Sequence, residues 1–294
     1  MISGAGAVTA ASSAYARLET SIAAWALVEE AIRAALVIGS RARRDHPADD
    51  WADLDVLVLT AGAHRFIDDA DWIAGIGDPW ITFVEPSPDG RAFERRVLFA
   101  GGADVDFAFM PVAEAEANLQ RDPSAAANVL GRGVRVLADK DGYVVRLLDD
   151  LRPAAENAAP NAHAFDEAVA DFWYHAVWTA KHLRRGELWW AKSGCDGRLK
   201  ERLRQVLEWQ ASAEGRDPWF RGRFLEEWAD PATVTELPRA FARYDEGEVW
   251  DALAVTMDLF GDVARRSASA LGLTYVPGPE QRARELVGEL RSGR

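Results

Sequence analysis

The stretch LVIGSRARRDHPADDWADLDVLVLT, from Leu36 to Thr60, contains two apolar runs with polar residues at their ends. The first run stops at the pair Gly39-Ser40. The second run, Leu54 to Leu59, is preceded by Asp53 and interrupted by Asp55. Short apolar runs bounded by turn residues are typical of buried β-strands. The stretch therefore predicts two core strands, the second with two acidic residues at its entrance.

Asp53 and Asp55 create a charge problem that a metal ion would solve. They are two positions apart, so on a strand their side chains share a face and lie about 7 Å apart. At an effective dielectric constant near 20 the carboxylates repel by roughly 2 to 3 kcal/mol. Mg²⁺ would offset this repulsion, because it binds carboxylate oxygens and completes its shell with water and phosphate. The alternative is a pair of solvated residues at the start of a strand.

The Gly39-Ser40 pair has the composition of a phosphate-binding turn. Gly39 lacks the Cβ that would keep a phosphate away from the backbone, and Ser40 offers a hydroxyl and an amide. If a helix begins within residues 41–43, its amides also face the phosphate. Arg41 follows directly and adds positive charge. The pattern predicts that this turn binds a triphosphate, whereas the alternative for Ser40 is an ordinary turn residue.

A third carboxylate is expected on a later strand, where the sequence reads ADVDFAFM from residue 103. Asp106 lies between the apolar residues Val105 and Phe107, which are typical of a strand core. Asp104 shares its face and is the rival, but it lies at the turn that precedes the strand. Asp106 is therefore the preferred third ligand.

The first half of the chain alternates between helical and strand patterns. A helix is predicted over Ser12 to Ala34 from the spacing of its apolar residues. Strands are predicted at Leu36–Ile38, Leu54–Leu59, Trp80–Val84, Arg96–Ala100 and Val105–Met110. Around residues 151–161 the segment RPAAENAAPNA has no periodic pattern of apolar residues, which is typical of a linker. The sequence therefore predicts one domain over 1–152 and a second over 153–294.

The second half carries only helical patterns. Apolar residues recur at helical spacing in segments that begin near Phe165, Leu199, Val249 and Glu280. Eight of the twelve tryptophans fall in this half, more than a bundle core of this size needs, so some are expected in an exposed cleft. The predicted fold class is α+β, with a small mixed sheet and covering helices followed by an α-helical bundle.

Composition restricts the setting. The net charge of −13 argues against a nucleic-acid-binding protein, which needs clustered lysine and arginine, and favours cationic partners. The single cysteine, Cys195, cannot form an internal disulfide. No apolar run is long enough to span a membrane, and the N-terminal residues lack the basic flank of a signal peptide. A cytoplasmic protein without a membrane partner, a monomer or weak homodimer, is expected.

Three separated elements resemble the signature of the nucleotidyltransferase superfamily that includes DNA polymerase β. These elements are Ile38-Gly39-Ser40, Asp53-Leu54-Asp55-Val56 and Val105-Asp106-Phe107. The sequence around these elements is similar to one branch of that superfamily, the aminoglycoside 6-adenylyltransferases that modify streptomycin. That similarity continues into the helical half at FWYHAVWTAKHLRRGELWWAK and LKERLRQVLEW, so it covers most of the chain.

The resemblance implies an aminoglycoside O-nucleotidyltransferase with ATP as co-substrate and two Mg²⁺ ions. Asp53 and Asp55 would hold the metals against the triphosphate, which Gly39, Ser40 and Arg41 would also bind. Asp106 would bind metal and help to deprotonate an acceptor hydroxyl. That hydroxyl would attack the α-phosphorus in line and release pyrophosphate.

The helical half is expected to supply the rest of the substrate contacts. A streptomycin-like acceptor carries guanidinium groups and hydroxyls, which favour carboxylates and aromatic faces. The residues predicted to bind it are Asp171, Trp173, Trp178 and Glu187, with Trp189 nearby. Lys181 and Lys192 are predicted to bind the triphosphate. The alternatives are core tryptophans and solvated lysines, and His175 and His182 are expected to be packing or rim residues.

Two other functions remain open at this stage. A nucleotidyltransferase with a protein or tRNA acceptor would need a basic groove, which the acidic composition disfavours. A non-catalytic nucleotide-binding module would require loss of a carboxylate or of the Gly39-Ser40 turn, and all of them are present.

Overall fold

The protein consists of two compact units, Met1–Glu156 and Asn157–Arg294. The computed structural model describes residues 5–43, 48–87, 93–121, 130, 133–149 and 159–293. The predicted boundary between Arg152 and Pro153 lies outside the described residues. Among those that are described, no helix has the combined length and apolarity that crossing a membrane requires.

A mixed six-stranded sheet forms the centre of the first unit. Its strands are β1 (Ile32–Ile38), β2 (Leu54–Thr60), β3 (Pro79–Pro86), β4 (Phe93–Phe99), β5 (Ala103–Pro111) and β6 (Arg135–Asp139). Their order across the sheet is β3-β4-β5-β2-β1-β6. Strands β2 and β5 are parallel, and the other neighbours pair antiparallel. The predicted mixed sheet is confirmed.

Strand β2 is almost entirely apolar because both of its faces are covered. One face packs, with β1 and β5, against the helices α1 (Ala5–Val28) and α2 (Ala63–Asp68). The other face contributes Leu57 and Leu59 to a smaller core beneath α3 (Val112–Arg121) and α4 (Tyr143–Asp149). Burial of each such side chain contributes about 1.5 to 3 kcal/mol. At the start of β2 the acidic residues Asp53 and Asp55 are only partly buried.

The predicted first helix is too long at its C-terminal end. Helix α1 ends at Val28, and β1 begins at Ile32 rather than at Leu36. The amide of Ile32 donates to the carbonyl of Glu29 at 3.1 Å, which closes a turn between the two elements. Strand β1 pairs on both sides, with β2 and β6, so sheet pairing outweighs the helical spacing here. Strand β6 was not predicted.

The second unit is a helical bundle, as predicted, and its described residues contain no strand. Its helices are α5 (Ala162–Arg184), α6 (Leu188–Ser193), α7 (Lys200–Ala213), α8 (Leu225–Trp228), α9 (Pro231–Glu236), α10 (Glu246–Leu271) and α11 (Gly278–Ser292). A π-helical turn, Gly194–Leu199, joins α6 to α7. In the core, the rings of Phe172 and Phe260 stack at 3.6 Å between centroids.

Asp230 stabilises the start of α9. Its carboxylate accepts a hydrogen bond from the Thr233 amide at 3.1 Å and pairs with Arg266 at 2.8 Å. The hydrogen bond from Arg266 lowers the pKa of Asp230 from 3.8 to about 2, against the opposing effect of burial. A carboxyl with a depressed pKa in the folded state stabilises the fold above its unfolded pKa, and that stability is lost as pH falls through the folded pKa.

We therefore expect Asp230→Ala to lower the free energy of unfolding at pH 7 by about 1 to 2 kcal/mol. At pH 3, the part of this loss that comes from the charge of Asp230 should be roughly half of its value at pH 7. Urea unfolding at both pH values measures it. Asp262→Ala serves as the control, because it removes an ion pair with Arg265 in which the Asp262 carboxylate is 70% exposed. This change should lower the free energy of unfolding by less than about 0.5 kcal/mol. An Asp230→Ala loss no larger than the control's would contradict the assignment.

Candidate metal centre

Three carboxylates converge where β2 and β5 begin. Asp53 directly precedes β2, Asp55 is its second residue, and Asp106 is the fourth residue of β5. The parallel register places Asp55 directly beside Asp106. One carboxylate oxygen from each residue lies within 4.8 Å of those of the other two. The structure thus brings together the three acidic residues singled out in the sequence.

The alternation of side chains along β5 decides which acidic residue joins this group. Val105 and Phe107 point into the core beneath α1, so Asp104 and Asp106 share the opposite face. Asp106 is 5% exposed, whereas Asp104 lies at the exposed edge and is not part of the group of three. Partial loss of hydration and the negative charge of Asp53 raise the pKa of Asp104, while Arg96 opposes the shift. Asp104 therefore adds to the negative potential of the site.

One oxygen of Asp106 is available to a metal ion. Its Oδ1 is buried and has no hydrogen-bond partner within the described part of the chain, whereas Oδ2 contacts Arg96. A buried acceptor without a partner costs about 1 to 3 kcal/mol. A hard divalent cation would satisfy this oxygen, since Mg²⁺ prefers oxygen donors and carboxylates in particular. The three carboxylates therefore fit the predicted metal.

Arg96 is a feature of the site that sequence reasoning missed. It lies opposite Asp106 in the antiparallel pairing of β4 with β5 and contacts its carboxylate. It also pairs with Glu85 at 2.7 Å and with Glu94 at 3.2 Å. Only the strand register, which the sequence does not specify, places this arginine beside the acidic group.

Gly39 closes the site on the side of β1. Its φ of +66° lies in the left-handed region, which glycine adopts without strain. A Cβ at this position would lie 2.1 Å from Oδ2 of Asp55. The hydroxyl of Ser40 is buried, and it too has no hydrogen-bond partner among the described residues. No α-helix begins at residues 41–43, the possibility considered from the sequence; the backbone forms a single 3-10 turn, Gly39–Ala42.

Arg41 holds the backbone that leads into Asp53. Its guanidinium lies 3.4 Å from the centroid of the Tyr15 ring. It donates to the carbonyls of Ala52 at 2.7 Å and Asp53 at 3.1 Å. A third hydrogen bond goes to the Asp49 carbonyl at 3.2 Å. These contacts position Asp53, and the predicted contact of Arg41 with phosphate would come in addition to them.

The two lysines predicted to bind phosphate have different surroundings in the helical unit. Lys181 is exposed on α5. Lys192 contacts the carboxylate of Asp196 and donates to the Ala242 carbonyl at 2.5 Å. Lys192 therefore already has two oxygen partners, whereas the ammonium group of Lys181 lies at the surface.

Asp171 is already surrounded by two arginines and a histidine. Its carboxylate contacts His175 at 2.6 Å, Arg198 at 2.8 Å and Arg202. Burial acts to raise its pKa, but the hydrogen bonds from Arg202 and Arg198 outweigh this effect and lower the pKa of Asp171 below its ordinary value. This neutralisation leaves Asp171 with less attraction for a cationic ligand.

The aromatic candidates separate into a core residue and a surface group. Trp173 is 2% exposed, and its indole donates to the hydroxyl of Tyr275 at 3.0 Å, so its position does not support the predicted substrate contact. The ring of Trp178 lies 4.0 Å from that of His182 and 5.6 Å from that of Trp190, between centroids. Trp190 is 54% exposed.

Glu187 lies beside this surface group. It contacts His182 and pairs with Arg185 at 2.6 Å. Trp178, His182, Glu187 and Trp190 are called the aromatic–acid cluster below. His175 and His182 each contact a carboxylate, and their assignment as packing or rim residues stays a prediction.

Comparison with known proteins gives a consistent result. A family model described as streptomycin adenylyltransferase matches residues 15–288. An aminoglycoside 6-adenylyltransferase from Bacillus subtilis (strain 168) is 23% identical over 260 residues, which cover 85% of this chain and 89% of the relative. A protein of the same name from Campylobacter jejuni is 20% identical over 260 residues, 85% of this chain and 87% of that protein.

Among solved structures, the crystal structure of an aminoglycoside 6-adenyltransferase from Bacillus subtilis aligns with a TM-score of 0.45 and 18% identity. The alignment covers 92% of this chain and 96% of that chain.

Proposed function

Because this chain belongs to the streptomycin adenylyltransferase family, we propose that it transfers AMP from ATP to a hydroxyl of a streptomycin-like aminoglycoside, in a Mg²⁺-dependent reaction that releases pyrophosphate. The prediction of a nucleotidyltransferase is confirmed by the family and by the curated relatives. The proposal adds the identity of the nucleotide, ATP, of the metal, Mg²⁺, and of the acceptor, a streptomycin-like aminoglycoside.

The convergence of Asp53, Asp55 and Asp106 within 4.8 Å is the observation that carries the proposal. Three carboxylates at this spacing repel one another, and the buried Oδ1 of Asp106 has no donor among the described residues. Both features are unfavourable in a site that never binds a metal ion. Beside them, the missing Cβ of Gly39 lets the carboxylate of Asp55 approach the turn closely.

Each residue of the site has a proposed role. Asp53 and Asp55 would hold Mg²⁺ for the triphosphate, and the turn at Gly39 and Ser40 would contact the phosphates. Asp106 would hold Mg²⁺ and accept the proton of the acceptor hydroxyl. When bound, two Mg²⁺ ions supply neutralisation of the triphosphate charge and alignment of the attacking and leaving oxygens. Positioning and electrostatics then account for most of the rate enhancement.

Arg41 and the two lysines are proposed to support the nucleotide. Arg41 fixes the carbonyls of Ala52 and Asp53 and adds positive charge beside the phosphate turn. Lys181 is the better candidate for a direct contact with the triphosphate, because its ammonium group is exposed while that of Lys192 is engaged.

The aromatic–acid cluster is the best-supported acceptor site in the helical unit. A guanidinium group binds favourably to a carboxylate and over an indole face. Glu187 and the exposed Trp190 offer both within one cluster, in which the ring of Trp178 contacts those of Trp190 and His182, and His182 contacts Glu187. The net charge of −13 also favours a cationic acceptor over a nucleic acid. Asp171 is a weaker candidate because two arginines and a histidine already contact it, whereas one arginine and one histidine contact Glu187.

A pyrophosphate-release assay distinguishes this proposal from its alternatives. The full-length protein is mixed with ATP and MgCl₂, and pyrophosphate is followed with and without each member of an aminoglycoside panel. We expect release that requires a streptomycin-like compound and stops when EDTA removes the metal. Release that requires tRNA or a protein instead would contradict the acceptor assignment. No release with any acceptor, despite measurable ATP binding, would favour the non-catalytic nucleotide-binding module.

A further inference from the structure

Arg96 is in direct contact with Asp106, although arginine is not a metal ligand. The guanidinium Nη1 contacts Oδ2 of Asp106, a carboxylate that is 5% exposed. In this environment the interaction is weakly screened by solvent, so it is stronger than an exposed ion pair. A cation that binds Asp106 therefore does so next to the positive charge of Arg96.

When no metal is bound, the positive charge of Arg96 reduces the repulsion among the carboxylates of the acidic group. Asp53, Asp55 and Asp106 lie together, and Asp104 lies next to them on the face of β5 that Asp106 occupies. Without a cation, their mutual repulsion would favour movement of the carboxylates apart. Arg96 offsets part of this repulsion and fixes Oδ2 of Asp106, which leaves Oδ1 as the oxygen for a metal.

Two further carboxylates hold Arg96 from its other side. Glu85 on β3 lies 2.7 Å from its Nε, and Glu94 on β4 lies 3.2 Å from Nη2. Both pairs involve nitrogens other than the one that contacts Asp106. The guanidinium therefore has partners that retain it when its interaction with Asp106 weakens.

Resting on the proposed metal role of Asp106, we infer that Arg96 is a positioning residue that serves as the resident counter-ion of Asp106 and lowers the affinity of the free enzyme for divalent cations. A cation that binds Asp106 competes with the positive charge of Arg96. Glu85 and Glu94 keep the arginine in place during this competition. The cation site is consequently weak until the negative charge of a nucleotide triphosphate joins it.

Mn²⁺ binding to the full-length, nucleotide-free protein tests this inference without measuring activity. We expect Arg96→Met to bind Mn²⁺ about tenfold more tightly than the wild type in calorimetry, a change of about 1.4 kcal/mol. Arg96→Lys, which keeps the charge, should stay within about threefold of the wild type. Arg65→Met is the matched control, because it removes the same charge from an exposed pair with Glu29 in the same unit. It should leave the Mn²⁺ affinity unchanged.

A thermal measurement keeps the test decisive if Arg96→Met is poorly stable. The variant should melt below the wild type without metal, and Mg²⁺ should raise its Tm by more than it raises that of the wild type. Equal or weaker Mn²⁺ binding by Arg96→Met would overturn the inference about Arg96. If Asp106→Asn binds Mn²⁺ as well as the wild type, the proposed metal site itself fails, and the two failures are thereby distinguished.

Discussion

Replacing Asp106 by Asn should reduce kcat/KM for AMP transfer by at least about 10³-fold, or about 4 kcal/mol of transition-state stabilisation. The substitution preserves the size of the side chain and removes the charge that binds the metal and accepts the proton. Because an amide oxygen still accepts a hydrogen bond from Arg96, the fold should persist. Pyrophosphate release measures the rate, and circular dichroism with a melting curve measures the fold.

Asp104→Asn is the matched control for this substitution. Asp104 lies on the same strand and the same face, two residues away, but outside the group of three carboxylates. It contributes only to the potential, so its replacement should cost less than about tenfold in kcat/KM. Retention of more than a tenth of the activity by Asp106→Asn, or an equal loss in both variants, would remove Asp106 from the mechanism.

Gly39→Ala should have the second largest effect. The new Cβ would lie 2.1 Å from Oδ2 of Asp55, so the carboxylate or the turn must move. An alanine at a φ of +66° adds about 1 to 2 kcal/mol of backbone strain. We expect kcat/KM to fall about 100-fold, since a displacement of about 1 Å at a reacting site costs that much. The free energy of unfolding should fall by about 1 to 2 kcal/mol.

Gly75→Ala provides the control for this second change. A Cβ at Gly75 meets no atom within 4 Å, and its φ is not positive. Its activity and its unfolding free energy should stay close to those of the wild type. Kinetics and urea unfolding on both variants make the comparison. Full activity in Gly39→Ala would show that the close approach to Asp55 is unimportant.

The predicted fold class and the convergence of the acidic group both depend on local patterns. The apolar run of β2 and the alternation in β5 specify strands. Alternation also predicts that Asp55 and Asp106 point to the face opposite that of their apolar neighbours. Arg96 could not be found in this way, because its position beside Asp106 depends on the register between β4 and β5. Such register is set by tertiary packing and by turn geometry.

The helical unit shows a different limit of sequence reasoning. Helical spacing correctly predicts α5, but Trp173 and Trp178 lie on the same helix with different surroundings. Which tryptophan enters the core depends on the packing of α5 against α10 and α11, through residues far apart in the sequence. For the same reason, the ion pairs of Asp171 with Arg198 and Arg202 could not be predicted.

We propose that Asp53, Asp55 and Asp106 together bind the divalent cations of nucleotidyl transfer. Crystals grown with MnCl₂ and a nonhydrolysable ATP analogue would locate these cations through the anomalous scattering of manganese. We expect an anomalous peak with metal–oxygen distances of about 2.1 Å to carboxylates of this group, and a second peak about 3.5 to 4 Å away. Manganese bound to the nucleotide but away from all three carboxylates would contradict the account.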